Sequence, residues 1–126
     1  MTYIGRTKKE PGCIFCNALE KEDGVDNLVI LRGQRAFVIL NRYPYTSGHL
    51  MVVPFAHVPT LELLDAEPLA DLMALTQLSL RVLREAYKPQ GFNLGMNIGE
   101  AAGAGVAGHV HLHIVPRWGG DTNYMT

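Results

Sequence analysis

His109-Val110-His111-Leu112-His113-Ile114-Val115 is the stretch on which the reading of this chain turns. Strand side chains point alternately to opposite faces, so the three histidines share one face and Val110, Leu112 and Ile114 share the other. The apolar face belongs on a core. The histidine face is open to three readings: a solvated polar face, a metal site of three imidazoles, or a phosphate site. The surroundings favour phosphate. From Pro89 to Pro116 the only formal charge is Glu100, and the loop before the histidines carries Gly99, Gly103, Gly105 and Gly108. Glycines let backbone N–H groups approach a ligand closely, and a nest of such donors suits an anion.

Upstream of the histidines, Phe92–Ile98 alternates in the same way, with Phe92, Leu94, Met96 and Ile98 on one face. Before it, Asp65–Tyr87 reads as a long helix. Leu69, Leu72, Met73, Thr76, Leu80, Leu83 and Tyr87 recur at steps that build one apolar face. Asp65 is its expected N-cap, Pro68 fits only the first turn, and Pro89 with Gly91 ends it. Further upstream, Asn27–Leu31 and Ala36–Leu40 are short strands joined by Arg32-Gly33-Gln34-Arg35, a hairpin connection. Asn41–Gly48 reads as a loop containing Pro44, and His49–Val53 as a third strand ended by Pro54. Strands on both sides of one long helix predict an antiparallel sheet, class α+β.

The chain has 126 residues, of which 48% are apolar and 18% charged, enough for one folded domain over 1–126. Residues 1–12 read as a loose basic lead-in, and residues 119–126 end without a closing element. Eleven basic against twelve acidic residues give a net charge of −1, which argues against a nucleic-acid coat or a polybasic membrane anchor. No apolar run approaches the ~18 residues of a membrane span, and no apolar segment follows the basic start to make a signal peptide. Two cysteines, spaced Cys13-x-x-Cys16, are too few for a disulfide scaffold. Such a pair suits a reducing compartment, hence the cytoplasm. It can be zinc ligands, a redox pair or two buried small residues. A redox role is disfavoured because no strand precedes the pair to present it in a βαβ unit.

Residues 109–115 fit the signature of the histidine triad (HIT) family, His-φ-His-φ-His-φ-φ with φ apolar, and the chain resembles that family over roughly Cys13–Trp118. Residues Phe37–Val53, with Asn41, Pro44 and Gly48-His49, are similar to the nucleoside-binding half of the family's pocket. The segment His113–Asp121 is similar to the branch of bacterial diadenosine tetraphosphate phosphorylases and dinucleoside polyphosphate hydrolases. The resemblance implies a sheet with one long and one shorter helix, and a nucleotidyl hydrolase or transferase acting on adenine nucleotides or dinucleoside polyphosphates. His111 would attack the α-phosphorus, a task suited to a neutral imidazole whose second nitrogen donates to a backbone carbonyl. His113, Asn97 and the backbone of Gly103, Ala104 and Gly105 would hold phosphate oxygens. Asn41 would contact the ribose, Phe37 and Ile39 the base, and His49 would orient the triad.

Some members of the family hold structural zinc with a cysteine pair, a histidine after the third strand and the first triad histidine. The matching positions here are Cys13, Cys16, His57 and His109, a closed tetrahedral set. His109 would then pin the catalytic strand rather than act as an acid. The family also implies a homodimer paired through the long helix and a neighbouring strand. One departure stands out: Gly105 and Val106 occupy places where many members carry Ser, Thr or Gln. It leaves a second class of function in play, a non-catalytic nucleotide-binding module or a zinc-stabilised interaction module.

Overall fold

The structure, a computed structural model, describes residues 12–42 and 47–120. The expected lead-in, apart from Gly12, together with Pro44 and the tail 121–126, lies outside the described residues. The elements run α1 (Ile14–Leu19), β1 (Val29–Arg32), β2 (Ala36–Leu40), β3 (Leu50–Pro54), α2 (Ala66–Tyr87), β4 (Gly91–Gly95) and β5 (Leu112–Arg117). Short 3₁₀ turns lie at Leu61–Leu63 and Glu100–Ala102. The strands form one antiparallel sheet in the order β1-β2-β3-β5-β4, and α1 is the shorter helix.

Alternation along the strands divides the core in two. Ala36, Val38, Leu50, Val52, Leu112 and Ile114 face α2, which buries Leu72, Leu75 and Leu83 against them. Val29, Phe37, Ile39, Met51 and Val53 face the opposite way, where Phe15 and Ala18 of α1 cover them. Each fully buried Leu or Phe contributes roughly 1.5–3 kcal/mol relative to exposure. His113 pairs with Met51, so the histidine face is the α1 face.

Several expected boundaries and contacts shift. Asp65 occupies the N-cap position of α2, but its side chain makes no capping hydrogen bond. The buried line of α2 is Leu72, Leu75, Thr76, Ser79 and Leu83. Leu69, Met73 and Tyr87, expected inward, remain exposed beside half-buried Leu80. They lie one step around the helix from the buried line. Lys88, in the left-handed region at φ 49°, ends the helix.

The strands β4 and β5 are also displaced. The β4–β5 ladder stops at the pair Gly95–His113, so residues 96–98 and 109–111 leave it. His109–His111 instead runs outside the ladder beside the segment after β3, where the Val110 N–H donates to the Val58 carbonyl at 2.8 Å. At the other end β5 continues through Pro116, since pairing with β3 ends at Leu50–Ile114 and no ladder bond is lost there. Asn27, expected at the start of β1, precedes the strand. Its amide donates to the Ala18 carbonyl, and its oxygen accepts from the Gly24 and Val29 N–H groups, tying α1 to the sheet.

Candidate catalytic and metal-binding site

The three histidines sit on one face as the alternation requires. The rings of His111 and His113 lie 4.9 Å apart in edge-to-face contact. His111 Nδ1 is 2.9 Å from the backbone carbonyl of His109. A carbonyl only accepts, so Nδ1 carries the proton and Nε2 keeps the lone pair. Burial pushes the His111 pKa below its ordinary value, opposed by that hydrogen bond, which favours the charged form. The ring therefore stays neutral near pH 7.

Behind it, His49 Nε2 lies 2.9 Å from His113 Nδ1, and the Asn41 amide nitrogen is 3.3 Å from both His49 Nδ1 and His49 Nε2. An amide nitrogen equally close to both ring nitrogens does not choose between them, so what the geometry fixes is the His49–His113 hydrogen bond, in which one ring nitrogen donates and the other accepts. Both rings have pKa values lowered to about 4, by burial first and then by proximity to His111; His49 adds to the effect on His113.

Cys13, Cys16, His57 and His109 form a second cluster, whose ligand atoms all lie within 4.8 Å of one another. His109 Nδ1 is 3.3 Å from Cys13 Sγ, 3.7 Å from Cys16 Sγ and 3.2 Å from His57 Nδ1. His57 Nδ1 is 3.5 Å from Cys16 Sγ. Three neighbours cannot share one lone pair as hydrogen bonds. A tetrahedron with metal–nitrogen bonds of about 2.0 Å and metal–sulfur bonds of about 2.3 Å has edges of about 3.3–3.8 Å, and the observed separations fall at or near that range. His109 Nε2 is 2.7 Å from the Pro54 carbonyl, to which it donates, leaving the Nδ1 lone pair for the cluster. Burial first, and then the Cys13 sulfur, push the Cys16 thiol above its ordinary value, so a cation between the sulfurs is what would release its proton. These four residues can hold a metal ion.

The remaining expected residues are placed unevenly. Phe37 and Ile39 lie inside the buried α1-side cluster, Phe37 stacked 5.6 Å from Phe55. Asn97 is exposed two residues beyond Gly95, the partner of His113. Gly103 closes the 3₁₀ turn at φ +91° and is exposed with Gly105, while Ala104 is half-buried and Val106 packs under α1. Sequence reasoning missed Phe15, whose ring meets both His109 and His111 at 5.4 and 4.8 Å. Its position inside the cysteine motif was the available signal. It also missed the Pro54 carbonyl, which no side-chain pattern reveals.

The family model described as the HIT domain matches residues 22–120. The chain is a member of the histidine triad family. A Mycobacterium tuberculosis relative named AP-4-A phosphorylase is 49% identical over 108 residues, covering 86% of this chain and 54% of that protein. The chain thus spans about half the length of that histidine triad relative. A histidine triad nucleotide-binding protein of Sulfolobus tokodaii has a similar structure, with TM-score 0.75 and 32% identity over 90% of this chain and 74% of that one. A Zn-bound histidine triad protein of Mycobacterium smegmatis gives TM-score 0.74 and 33% identity over 87% and 78% of the two chains.

Proposed function

We propose that this chain is a nucleotidyl hydrolase or transferase that cleaves adenine nucleotides or dinucleoside polyphosphates at the α-phosphorus. The observation that carries the reading is the His111 tautomer, fixed by the His109 carbonyl so that Nε2 holds the lone pair. His111 Nε2 attacks the α-phosphorus, a P–N bond forms, and the P–O bond to the leaving phosphate chain breaks. Water or inorganic phosphate then attacks the nucleotidyl-histidine and returns Nε2. The name of the M. tuberculosis relative favours phosphate as the acceptor.

His113 donates a ring N–H to a phosphate oxygen, its ring held by the hydrogen bond with His49. Asn97 and the backbone of Gly103–Gly105 supply further neutral donors, which replaces the side-chain donors that many relatives carry at Gly105 and Val106. Asn41 contacts the ribose; Phe37 and Ile39, expected against the base, are closed off in the α1-side cluster and back the pocket from behind.

Zinc is the metal we assign to Cys13, Cys16, His57 and His109, supported by the tetrahedral spacing and by the Zn-bound M. smegmatis relative. Four protein ligands leave no position for water, so zinc there supplies a crosslink rather than catalysis. Thiols that must stay reduced to bind metal favour a reducing compartment, and we assign the protein to the cytoplasm on that ground. Among the described residues no helix is long and apolar enough to cross a membrane. The substrate is a nucleotide, not a nucleic acid.

A homodimer is supported by the exposed apolar shelf of Leu69, Met73 and Tyr87 on α2 and by exposed Leu94 on the edge strand β4. Light scattering at micromolar concentration should give twice the 13.9 kDa chain mass; a monomer mass refutes the pairing.

The deciding experiment mixes the protein with diadenosine polyphosphates and a panel of adenine and guanine nucleotides, with and without phosphate. Acid-free quenching and mass spectrometry then look for a nucleotide on His111. An adduct on this residue, discharged by phosphate or water, is the expected result. The absence of any adduct under rapid quench across the panel sinks the reading.

A further inference from the structure

We infer that Phe15 is a positioning residue for His111, carried by the metal cluster and holding the imidazole in the orientation from which Nε2 reaches phosphorus. The inference rests on the nucleotidyl-histidine reading above.

Phe15 is 1% exposed, so its ring is not a surface for solvent. It lies 4.8 Å from the His111 ring at an interplanar angle of 55°, and 5.4 Å from the His109 ring at 71°. The His113 ring lies 4.9 Å from His111 as well. The torsion that turns a histidine ring is broad and shallow. A single hydrogen bond at Nδ1 limits it only loosely. The Phe15 and His113 rings add two further restraints, so His111 is held at one atom and by two neighbouring rings.

What holds Phe15 is itself unusual. Helix α1 has six residues, too short to persist alone, and its N-cap Cys13 makes no side-chain capping bond. It is held by burial of Phe15 and Ala18, by the Asn27 amide on the Ala18 carbonyl, by Arg32 on the Leu19 carbonyl, and by the cluster. Cys13 and Cys16 bracket Phe15 in sequence, and both thiols reach His109. Two routes therefore run from the cluster to His111. One passes through the His109 backbone to its carbonyl, and the other through the Phe15 ring. A metal site with no open coordination position acts on the nucleophile by fixing these two contacts.

The test uses the full chain purified without chelator, as Phe15→Leu and Phe15→Tyr variants beside the unaltered protein. Metal content and Tm report folding. Single-turnover quench gives the rate of nucleotidyl-His111 formation, steady state gives KM, and NMR of ¹⁵N-histidine-labelled protein reads the His111 ring nitrogens. Phe15→Leu should keep its metal and a KM near that of the unaltered protein, while adduct formation slows by about ten- to a hundredfold. Its His111 nitrogen signals should move and broaden, and Phe15→Tyr, which keeps the ring, should restore most of the rate.

A Phe15→Leu protein with an unchanged rate and unmoved His111 signals overturns the inference. So does a rate loss that only tracks lost metal or lost folded protein. Should Phe15→Leu fail to fold, Phe15→Met, flexible and nearer in size, takes its place with the same outcomes. If the unaltered protein forms no adduct, the functional reading has failed, and the NMR comparison still decides whether Phe15 holds the ring.

Discussion

His109 and His111 are two residues apart on the segment that leads into β5, yet they put the same side chain to opposite uses. His109 donates Nε2–H to the Pro54 carbonyl and turns Nδ1 to two sulfurs and His57. His111 donates Nδ1–H to the His109 carbonyl and keeps its lone pair on Nε2. In each case the backbone oxygen at one nitrogen decides what the other can do. One imidazole is saturated by neighbours within a few ångströms, and the other is left with a reactive atom. Burial and ring contacts alone would not distinguish them; the choice of carbonyl does.

The largest expected effect comes from removing the open nitrogen. His111→Ala should reduce turnover by about 10³-fold or more, while metal content, Tm and nucleotide binding stay near those of the unaltered protein. Steady-state kinetics on a metal-replete preparation measures it, and more than a few per cent residual activity would contradict attack by this residue.

Breaking the saturated end should invert that pattern. Cys13→Ser should bring zinc content close to zero and lower Tm by on the order of 10 °C, because metal affinity is folding free energy here. The loss of intrinsic rate in the folded fraction should be smaller than for His111→Ala. Elemental analysis beside calorimetry checks it, and full stability without metal would reduce the cysteines to packing.

The His49–His113 pair sharpens the comparison through pH. Their ordinary value is 6.5 and their folded value about 4, so between these limits the unfolded chain binds protons that the folded chain does not. Stability from this source is whole above about pH 6.5 and declines as pH falls toward 4, each ring losing about 1.4 kcal/mol per pH step of one over that interval. Denaturant titrations at several pH values should show a loss on the order of 3 kcal/mol per ring as pH falls from 6.5 to about 4. His49→Gln, compared at equal metal content, should flatten the slope, and an unchanged slope would mean that His49 does not titrate this way.

The smallest expected effect touches the same end from the backbone. Gly48 sits at φ +81°, and a Cβ there would lie 3.1–3.2 Å from Tyr87 and Leu83. Gly48→Ala should cost about 1–3 kcal/mol and leave the zinc content unchanged. Metal loss in this variant would mean that the two ends are not separable at this position.

Much of this arrangement was legible in the sequence, for reasons that can be named. A period of two over His109–Ile114 is hard to produce except in an extended segment with two different faces. The four residues that can hold a metal are chemically distinctive, so spacing and family pattern carried them. What was illegible depends on neighbours remote in sequence. The ladder leaves His109–His111 out because β3 ends its pairing at Val52–Leu112, a fact of register. Ser79 is buried and Met73 exposed because Ser79 lies on the line of α2 that faces the sheet and Met73 on the flank beside it, a matter of packing rather than of hydropathy. Asn27 reads as an ordinary strand start, although its amide organises a loop through the Ala18 carbonyl and its oxygen accepts from Gly24 and Val29. Phe15 looks like filler between two cysteines until the topology places two histidine rings against it.

The distance along the chain between Cys13 and His109, a separation of 96 residues, has a consequence for how the molecule is made. During synthesis the two thiols emerge first and wait while the hairpin, β3 and α2 are added. His57 arrives on the way, but the fourth ligand comes only with the segment that also brings His111. A nascent chain therefore completes the four-residue cluster and acquires His111 together, so a ribosome stalled before that segment displays the cysteines without His109 or His111.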